Sequence, residues 1–225
     1  AADIFEKPIE SILKDTEERQ LGKNSFLGCG YGMGHLRFKD QVKEQSGLII
    51  DLTLSKKAVT VYRSKFPEVV RFWHMLAASF LNATYGQTTE LCNGRIVIGP
   101  MTGRYRGVYI QLPSGSKLYY HAAGSDEGSL VFKQSQKGKQ FDKKIYGGLL
   151  CEHVCSATAR DVMLNGMIHV ERKGFQIKNT IHDEIWAIGP HNMEQDFVTA
   201  MGTLPAWANG VQLGVDAGHG ERYLK

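Results

Sequence analysis

A group of cations and one aromatic residue stands near the start of the chain at helical spacing. Arg19, Lys23, Leu27 and Tyr31 follow one another at intervals of four residues, so on one continuous helix all four would lie along the same face. Two permanent cations one turn apart suit a polyphosphate, and an aromatic ring further along can stack on a nucleobase. The pattern predicts a nucleoside triphosphate site, although an ordinary surface helix would carry the same residue types.

Two adjacent carboxylates, Asp183 and Glu184, stand between apolar residues near the end of the chain. Neighbouring strand residues face opposite sides of a sheet, but at a hairpin turn both side chains can approach one site. Carboxylates in apolar surroundings must be paired or bind a cation, and an oxygen-rich site favours Mg²⁺. The motif predicts a magnesium site, and a solvated turn is the alternative interpretation.

A third pattern lies in segment 146–161, which is predicted to be helical. Its polar residues Glu152, Ser156 and Arg160 recur every four positions. Such a stripe is usual on a helix face near water, and it also suits hydrogen bonding along a groove.

Composition limits the class of protein. The chain has 225 residues, of which 42% are hydrophobic and 22% charged, as in a folded globular protein. No apolar run reaches the eighteen or so residues of a membrane-spanning helix. The glycines at 28, 30, 32 and 34 do not make a dinucleotide-binding fingerprint, because no strand signal precedes them.

The net charge of +4 permits a polyanionic partner. Five lysines fall within Lys133–Lys144, a segment that reads either as a solvated loop or as a contact to a phosphate backbone. The four cysteines lack the spacing of a complete zinc site and are predicted to be buried thiols in a reducing compartment.

Hydrophobic periodicity and turn residues divide the chain into a helical first part, a strand-rich middle and a mixed last part. Predicted helices cover residues 17–31, 37–46, 55–83 with a break at Pro67, 146–165 and 191–202. Predicted strands cover residues 95–99, 107–112, 117–120, 167–170 and 176–186. Because helices and strands are segregated rather than alternating, the predicted fold class is α+β.

The order and separation of the three motifs resemble the second half of family A (DNA polymerase I-like) DNA polymerases. The segments Glu18–Lys23, Tyr31–Gly34 and Trp207–Gly210 are similar to the viral and phage branch of that family. The resemblance covers essentially the whole chain. It implies a right-hand polymerase architecture, with a mainly helical fingers subdomain at 1–142 and the C-terminal part of the palm at 143–225. The fingers would carry a small β-rich insertion at about 84–142, and the palm part an antiparallel hairpin with long helices.

The resemblance implies nucleotide-binding and catalytic residues. Arg19 and Lys23 match the positions that hold the phosphates of the incoming nucleotide, and Lys23 also matches a proton donor to the leaving pyrophosphate. Leu27 stands where the family usually has Phe or Tyr, so discrimination between sugars is expected to differ. Asp183 matches a metal ligand and is catalytic in the family, with Glu184 beside it.

The resemblance also implies contacts to DNA. Tyr31 and Gly32 match the positions beside the templating base, and His182 matches a contact to the primer end. Glu152 and Ser156 occupy the helix that follows primer and template in the minor groove, where Ser156 replaces the usual Gln.

The activity implied by the resemblance is template-directed DNA synthesis, in which a nucleotidyl group passes from a dNTP to a primer 3′-hydroxyl at a two-metal Mg²⁺ site. The first carboxylate motif of the family, Asp-x-Ser-x-Ile-Glu, does not occur in the sequence. We therefore expect activity only with a second polypeptide that carries this motif and the thumb. Primer–template DNA and dNTP are the other expected partners, with no membrane, in the cytoplasm of a bacterial host. The alternative is a non-catalytic DNA-binding module derived from a polymerase.

Overall fold

A computed structural model describes residues 1–104 and 106–222. The chain divides into two compact units. The first consists of Ala1–Ile110 and Leu118–His153, and the second consists of Gln111–Lys117 and the chain from Val154 onward.

The first unit begins with helices. They are α1 (Ala2–Phe5), α2 (Glu17–Cys29), α3 (His35–Ser46), α4 (Leu52–Lys65) and α5 (Pro67–Thr84), with a short 3₁₀ turn at Ile9–Ser11. The predicted helices 37–46 and 55–83 are confirmed apart from their ends, and the break before Pro67 is confirmed as well. The predicted helix 17–31 is two residues too long.

Local sequence explains where these helices begin. Thr16 Oγ1 accepts a hydrogen bond from the backbone N–H of Arg19 at 3.3 Å, and Asp51 Oδ1 accepts one from that of Leu54 at 2.7 Å. Both are side-chain N-caps. Pro67 occupies the first turn of α5, where its missing N–H costs no hydrogen bond.

The helices of the first unit enclose an apolar core. Phe38 and Val42 of α3, Ala58 of α4, and Leu76 and Phe80 of α5 have no exposed surface. Their spacing of three or four residues places each set on one helix face, so burial of these faces holds α3, α4 and α5 together.

The rest of the first unit is mainly β-structure. A four-stranded sheet has the order β1-β2-β3-β4, and β1 and β2 pair antiparallel. The strands are β1 (Thr89–Leu91), β2 (Ile96–Pro100), β3 (Gly107–Gln111) and β4 (Lys117–His121). Helix α5 packs on β2, whose Ile98 is fully buried. The three strands predicted in this region are confirmed within one residue at most ends.

A second sheet of the first unit has the order β5-β6-β7 and is antiparallel. Its strands are β5 (Gly124–Asp126), β6 (Ser129–Gln136) and β7 (Lys139–Ile145). The loop interpretation of segment 133–144 is therefore wrong. The segment forms a β-hairpin because Lys137 and Gly138 both adopt positive φ, 49° and 75°, which is the requirement of a two-residue type I′ turn.

Helix α6 (Gly147–Arg172) starts in the first unit and continues in the second. The helix predicted at 146–165 is thus confirmed but longer, and the strand predicted at 167–170 is wrong. Gly166 does not break the helix; it faces Met201, whose backbone oxygen would lie 2.9 Å from an added β-carbon. The helix ends instead before Gly174, whose φ of 90° suits a helix C-terminus.

The second unit continues with a two-stranded antiparallel sheet, β8 (Gln176–Ile181) and β9 (Glu184–Ile188), and helix α7 (Glu194–Met201). The single strand predicted at 176–186 is therefore a hairpin. The helix predicted at 191–202 is confirmed at Glu194–Met201, whereas His191–Met193 form a 3₁₀ turn. Another 3₁₀ turn lies at Ala206–Ala208.

The fold class is α+β, as the sequence predicts. Within the described residues, no helix is both long and apolar enough to cross a membrane. The division into fingers at 1–142 and palm at 143–225 stays a prediction.

None of the four cysteines, all of which the structure describes, forms a disulfide. Cys29 and Cys151 are buried, whereas Cys92 and Cys155 are exposed. The prediction of buried thiols is right for two cysteines and wrong for the two that lie outside an apolar core.

Candidate functional site

Helix α2 presents the two predicted phosphate-binding cations on its outer face. Arg19, Lys23 and Leu27 are exposed, and the Leu27 side chain is unusually so for a leucine, at 54%. The opposite face of α2 is buried through Leu21 and Cys29. Burial of one face fixes the direction in which the other points, so the spacing of four residues does align these three side chains.

Polar contacts hold α2 against its neighbour α3. Buried Asn24 donates from Nδ2 to Ser46 Oγ at 3.0 Å, and Ser46 Oγ donates to the backbone oxygen of Val42 at 2.6 Å. Burial raises the pKa of the Cys29 thiol to about 11, so this residue stays a neutral part of the core near pH 7. The cationic face of α2 is therefore carried by a firmly packed helix.

Tyr31 does not continue the stripe of α2. The helix ends at Cys29, and the backbone N–H of Gly32 donates to the Cys29 oxygen at 3.2 Å in a tighter turn. Gly32 has a φ of 79°, a conformation that favours glycine. The predicted stack of four residues is thus correct for three and wrong for Tyr31, which lies half-buried in the turn.

The turn that carries Tyr31 is enclosed by two other elements. Trp73 of α5 donates from Nε1 to the backbone oxygen of Gly30 at 3.0 Å. Added β-carbons on Gly147 and Gly148 would lie 2.6 Å from the carbonyl carbons of Trp73 and Tyr31, respectively. Only glycines allow the start of α6 to come so close to both backbones.

A cleft of about 440 Å³ opens beside this turn, entirely within the first unit. It brings together predicted site residues from two motifs, because it is lined by Leu27, Tyr31 and Gly32 and also by Glu152 of α6. Met33, Gly34, Arg37, Gln41 and Tyr146 line it as well.

Sequence reasoning missed Arg37, Gln41 and Tyr146 as cleft residues. Arg37 and Gln41 stand four residues apart on α3, which is the signal that could have identified them. Tyr146 is 53% exposed and directly precedes the two glycines, so its position follows from the close approach of α6 rather than from a local pattern.

Next to Glu152, a histidine–tyrosine pair fixes α6 on strand β4. The hydroxyl of Tyr120 hydrogen-bonds His153 Nδ1 at 2.9 Å, and the two rings stack with centroids 5.9 Å apart. Burial lowers the pKa of His153; the charge of Glu152 raises it in part, and that of Lys143 lowers it further. Burial also raises the pKa of Tyr120. His153 is therefore mostly neutral at pH 7 and positions Glu152 without adding a cation.

The second unit carries the predicted acidic motif at the tip of its hairpin. Ile181 pairs with Glu184, so His182 and Asp183 are the two turn residues between β8 and β9. His182, Asp183 and Glu184 are all exposed. His182 has a φ of 54°, in the left-handed region that non-glycine residues adopt at a cost.

Apolar packing supports this hairpin from below. A buried cluster consists of Val170 of α6, Ala200 of α7 and Phe175, which lies between α6 and β8. Ile177 of β8 and Ile185 of β9 pack against this cluster. The rings of Phe175 and Phe197 meet edge to face with centroids 5.2 Å apart. The turn with Asp183 therefore projects from a packed base.

The tip of the hairpin fits part of a magnesium site. Its exposed carboxylates supply the oxygen ligands that Mg²⁺ prefers, and Mg²⁺ demands a near-octahedral set of ligands. Over the two described ranges, 1–104 and 106–222, no three His, Cys, Asp or Glu side chains are close enough together to hold a metal ion. Asp183 and Glu184 would need further ligands from outside these residues.

The remaining predicted residue, Ser156, is exposed on α6 one turn beyond Glu152. Arg19 and Lys23 belong to the first unit, and Asp183 belongs to the second. That these groups act on one substrate stays a prediction.

The chain is similar in sequence to a known phage protein. No protein-family model matches the chain. The chain is 28% identical over 239 aligned residues to a protein of Bacillus phage SP02 described as DNA polymerase. The alignment covers 100% of this chain and 35% of the phage protein, so the chain spans about a third of the length of that relative. The similarity supports a relationship to a phage DNA polymerase.

Proposed function

We propose that this chain is the fingers-and-palm part of a family A DNA polymerase of the phage branch. In this proposal, residues 1–142 form the fingers, with the β-rich insertion, and residues 143–225 form part of the palm. The chain would bind a dNTP and primer–template DNA in the cytoplasm of a bacterial host. The similarity to a phage DNA polymerase along the whole chain makes DNA and dNTP the first ligands to test.

The observation that carries the proposal is the combination of a cationic helix face with the adjoining cleft. Arg19 and Lys23 are exposed one turn apart on α2, and Leu27, one turn further on, lines the cleft. From Arg19 to Leu27 the helix rises about 12 Å. A nucleoside triphosphate that lies along this face would place its phosphates on the cations and its base near Tyr31.

The chemistry proposed for the chain is charge stabilisation and positioning, which dominate phosphoryl transfer. The two cations would neutralise the phosphates, and the Lys23 ammonium would donate a proton to the leaving pyrophosphate. Mg²⁺, when bound, supplies charge stabilisation at the transferred phosphoryl group. Asp183, with Glu184 beside it, would contribute carboxylate oxygens to its site, and His182 would contact the primer end.

We propose that the other metal ligands and the thumb come from a second polypeptide. Two observations support this proposal. The acids at the hairpin tip belong to no group of three or more His, Cys, Asp or Glu side chains within the described residues, and the first carboxylate motif of the family does not occur in the sequence. Loss of one bridging carboxylate from a two-metal site costs several kcal/mol of transition-state stabilisation, or roughly 10³-fold in rate. The chain by itself should therefore extend primers very slowly.

Primer extension tests the proposal. The chain is purified from its native source with whatever protein accompanies it, and extension of a primed template is compared with that of the separated chain. We expect extension by the complex and at most a thousandth of that rate by the separated chain. Rapid extension by the separated chain would disprove the requirement for a second polypeptide.

A substitution in the complex distinguishes the enzyme from a non-catalytic DNA-binding module. Asp183→Asn removes the charge of a turn residue without changing its size, and we expect it to abolish extension while DNA binding persists. Glu221→Gln, at an exposed acid in the tail, is the matched control and should leave the rate unchanged. If the Asp183 variant extends primers normally, this residue is not a metal ligand and the catalytic proposal fails.

A further inference from the structure

A lysine-rich hairpin belongs to the first unit, and none of its residues lines the cleft. It comprises β6, the two-residue turn Lys137-Gly138 and β7, that is residues 129–145, and we call it the basic hairpin. Seven residue pairs, from Leu130 with Ile145 to Gln136 with Lys139, align its two strands. The base of the hairpin is anchored by buried Phe132 and Ile145.

The basic hairpin accounts for the net charge of the chain. It holds five lysines and one aspartate, a balance of +4, and the whole chain also has a net charge of +4. One of the lysines, Lys133, pairs with Asp142 at 2.8 Å. Among the described residues, the other four hairpin lysines have no carboxylate within ion-pair distance: Lys137, Lys139, Lys143 and Lys144. Cations left without a counter-charge in one protein segment attract a polyanion.

An aromatic residue lies among these cations. Lys139, Phe141 and Lys143 alternate along β7 and therefore share one face of the sheet, at intervals of about 7 Å. Phe141 is 40% exposed, whereas Phe132 on the same face is buried and packs edge to face on Tyr120 at 5.2 Å. The ring of Phe141 thus lies beyond the anchored base of the hairpin.

We propose that the basic hairpin binds single-stranded DNA, with its lysines on the phosphates and Phe141 stacked on a base. A cationic surface with an aromatic platform is the usual arrangement in proteins that bind single strands. An exposed ring can stack only on a base that is not already stacked in a duplex, and this favours a single strand over double-stranded DNA. The Gln and Ser residues between the lysines provide hydrogen bonds that are independent of base sequence.

The residues of this site differ from those of α2 and of the cleft lining, and the inference does not depend on the polymerase proposal. An experiment can disprove the polymerase proposal without disproving single-strand binding by the basic hairpin, and the reverse also holds. Asp183→Asn should abolish primer extension and leave binding of a single strand by the basic hairpin unchanged, whereas substitutions in the hairpin should act on binding.

Salt dependence of binding tests the lysines. Binding of the full chain to a fluorescently labelled single-stranded oligonucleotide is followed by anisotropy between about 50 and 200 mM salt. In the triple variant Lys137→Gln, Lys139→Gln and Lys143→Gln, the slope of log K against log salt should become shallower by about 2, because each lost phosphate contact removes about 0.7. An unchanged slope would overturn the proposal.

A matched control removes the same charge elsewhere in the first unit. Lys14, Lys43 and Lys56 are exposed, and the triple variant in which each is replaced by Gln should keep the wild-type slope. An equal loss in this control would show that binding depends on net charge alone and would overturn the assignment to the hairpin.

Phe141→Leu tests stacking while keeping an apolar side chain on the hairpin. Loss of base stacking should weaken binding to the single strand by roughly five-fold or more, and binding to duplex DNA should not change. Circular dichroism and thermal unfolding show whether the variant is folded. A folded Phe141→Leu chain that binds the single strand as tightly as wild type, or that loses duplex binding equally, would disprove the role of the ring.

Discussion

Gly148 and Tyr31 meet backbone to backbone, and a β-carbon on Gly148 would lie 2.6 Å from the carbonyl carbon of Tyr31. This contact lies beside the cleft, because Tyr31 and Gly32 line it and so does Glu152 of α6, the helix that begins at Gly147. The position of the predicted DNA-binding tyrosine thus depends on a residue more than a hundred positions away in the sequence.

Gly148→Ala should destabilise the first unit. The added methyl group would collide with backbone that cannot rotate away, and overpacking of this kind costs about 1–3 kcal/mol. The free energy of unfolding in urea measures the effect. Gly124→Ala is the control, since nothing lies within 4 Å of a β-carbon at that position. If both variants are equally stable, the close approach is not a constraint on the fold.

Arg19→Ala and Lys23→Ala should each weaken binding of a dNTP to the chain by about ten-fold or more, because a hydrogen bond to a charged group contributes about 1.5–3 kcal/mol. Isothermal titration with dATP measures this loss. The effect should be absent with deoxyadenosine, which has no phosphates.

The control for these substitutions is Lys43→Ala with Lys56→Ala, which removes exposed cations from α3 and α4. Long-range electrostatics alone would weaken dATP binding in both sets of variants. We expect the control to bind dATP as wild type does, and a comparable loss there would contradict a specific site on α2.

Trp73→Phe should lower stability by about 1–3 kcal/mol, since it leaves the backbone oxygen of Gly30 without its donor from the indole. Phe retains most of the apolar contact area of Trp. Urea unfolding gives the loss, and Trp207→Phe serves as a control in the second unit. A Trp73 variant that is as stable as the control would mean that the hydrogen bond to the turn contributes little.

The pH dependence of stability should reveal His153. Because burial lowers its pKa in the folded protein below the ordinary 6.5, the unfolded chain binds more protons than the folded one as pH falls below about 6.5. Stability is therefore complete above this pH and decreases below it. The charge of Glu152 raises the pKa of His153 and so opposes the effect of burial, whereas the charge of Lys143 lowers this pKa further.

His153→Gln should flatten the stability profile as pH falls below the ordinary histidine value of 6.5, as measured by urea unfolding at each pH. Asp3 and Glu6 have lowered pKa values because Lys65 and Lys57 hydrogen-bond their carboxylates. Asp3 and Glu6 lose their contribution to stability only below the ordinary carboxyl pKa values of 3.8 and 4.5. This pH range lies below the range in which His153 acts. A profile that stays equally steep in the variant would assign the dependence to another group.

Sequence reasoning succeeded where the cause is local. The start of α2 follows from the Thr16 cap, and the break between α4 and α5 follows from Pro67. The carboxylates of Asp183 and Glu184 were expected near a turn, and the structure has them at the tip of a hairpin. Each of these features depends on residues within about four positions in the chain.

Sequence reasoning failed where distant residues decide. Tyr31 leaves the α2 stripe because Trp73 and Gly148 hold the preceding turn. Segment 167–170 stays helical because Val170 packs in the cluster with Phe175 rather than in a sheet. The basic hairpin escaped detection because lysines obscure the alternation of its strands, and its Lys-Gly turn lacks the more usual asparagine.

His182→Gly and His182→Ala should separate backbone conformation from function at the acidic hairpin. With a φ of 54°, the turn accepts glycine without a steric penalty, whereas alanine pays the left-handed cost, so the glycine variant should be more stable by about 1 kcal/mol. Both variants lose the imidazole, so under the polymerase proposal both should slow primer extension in the complex to the same degree. Thermal unfolding and single-turnover extension measure the two effects. If the more stable glycine variant extends primers faster than the alanine variant, His182 shapes the turn and does not contact the primer.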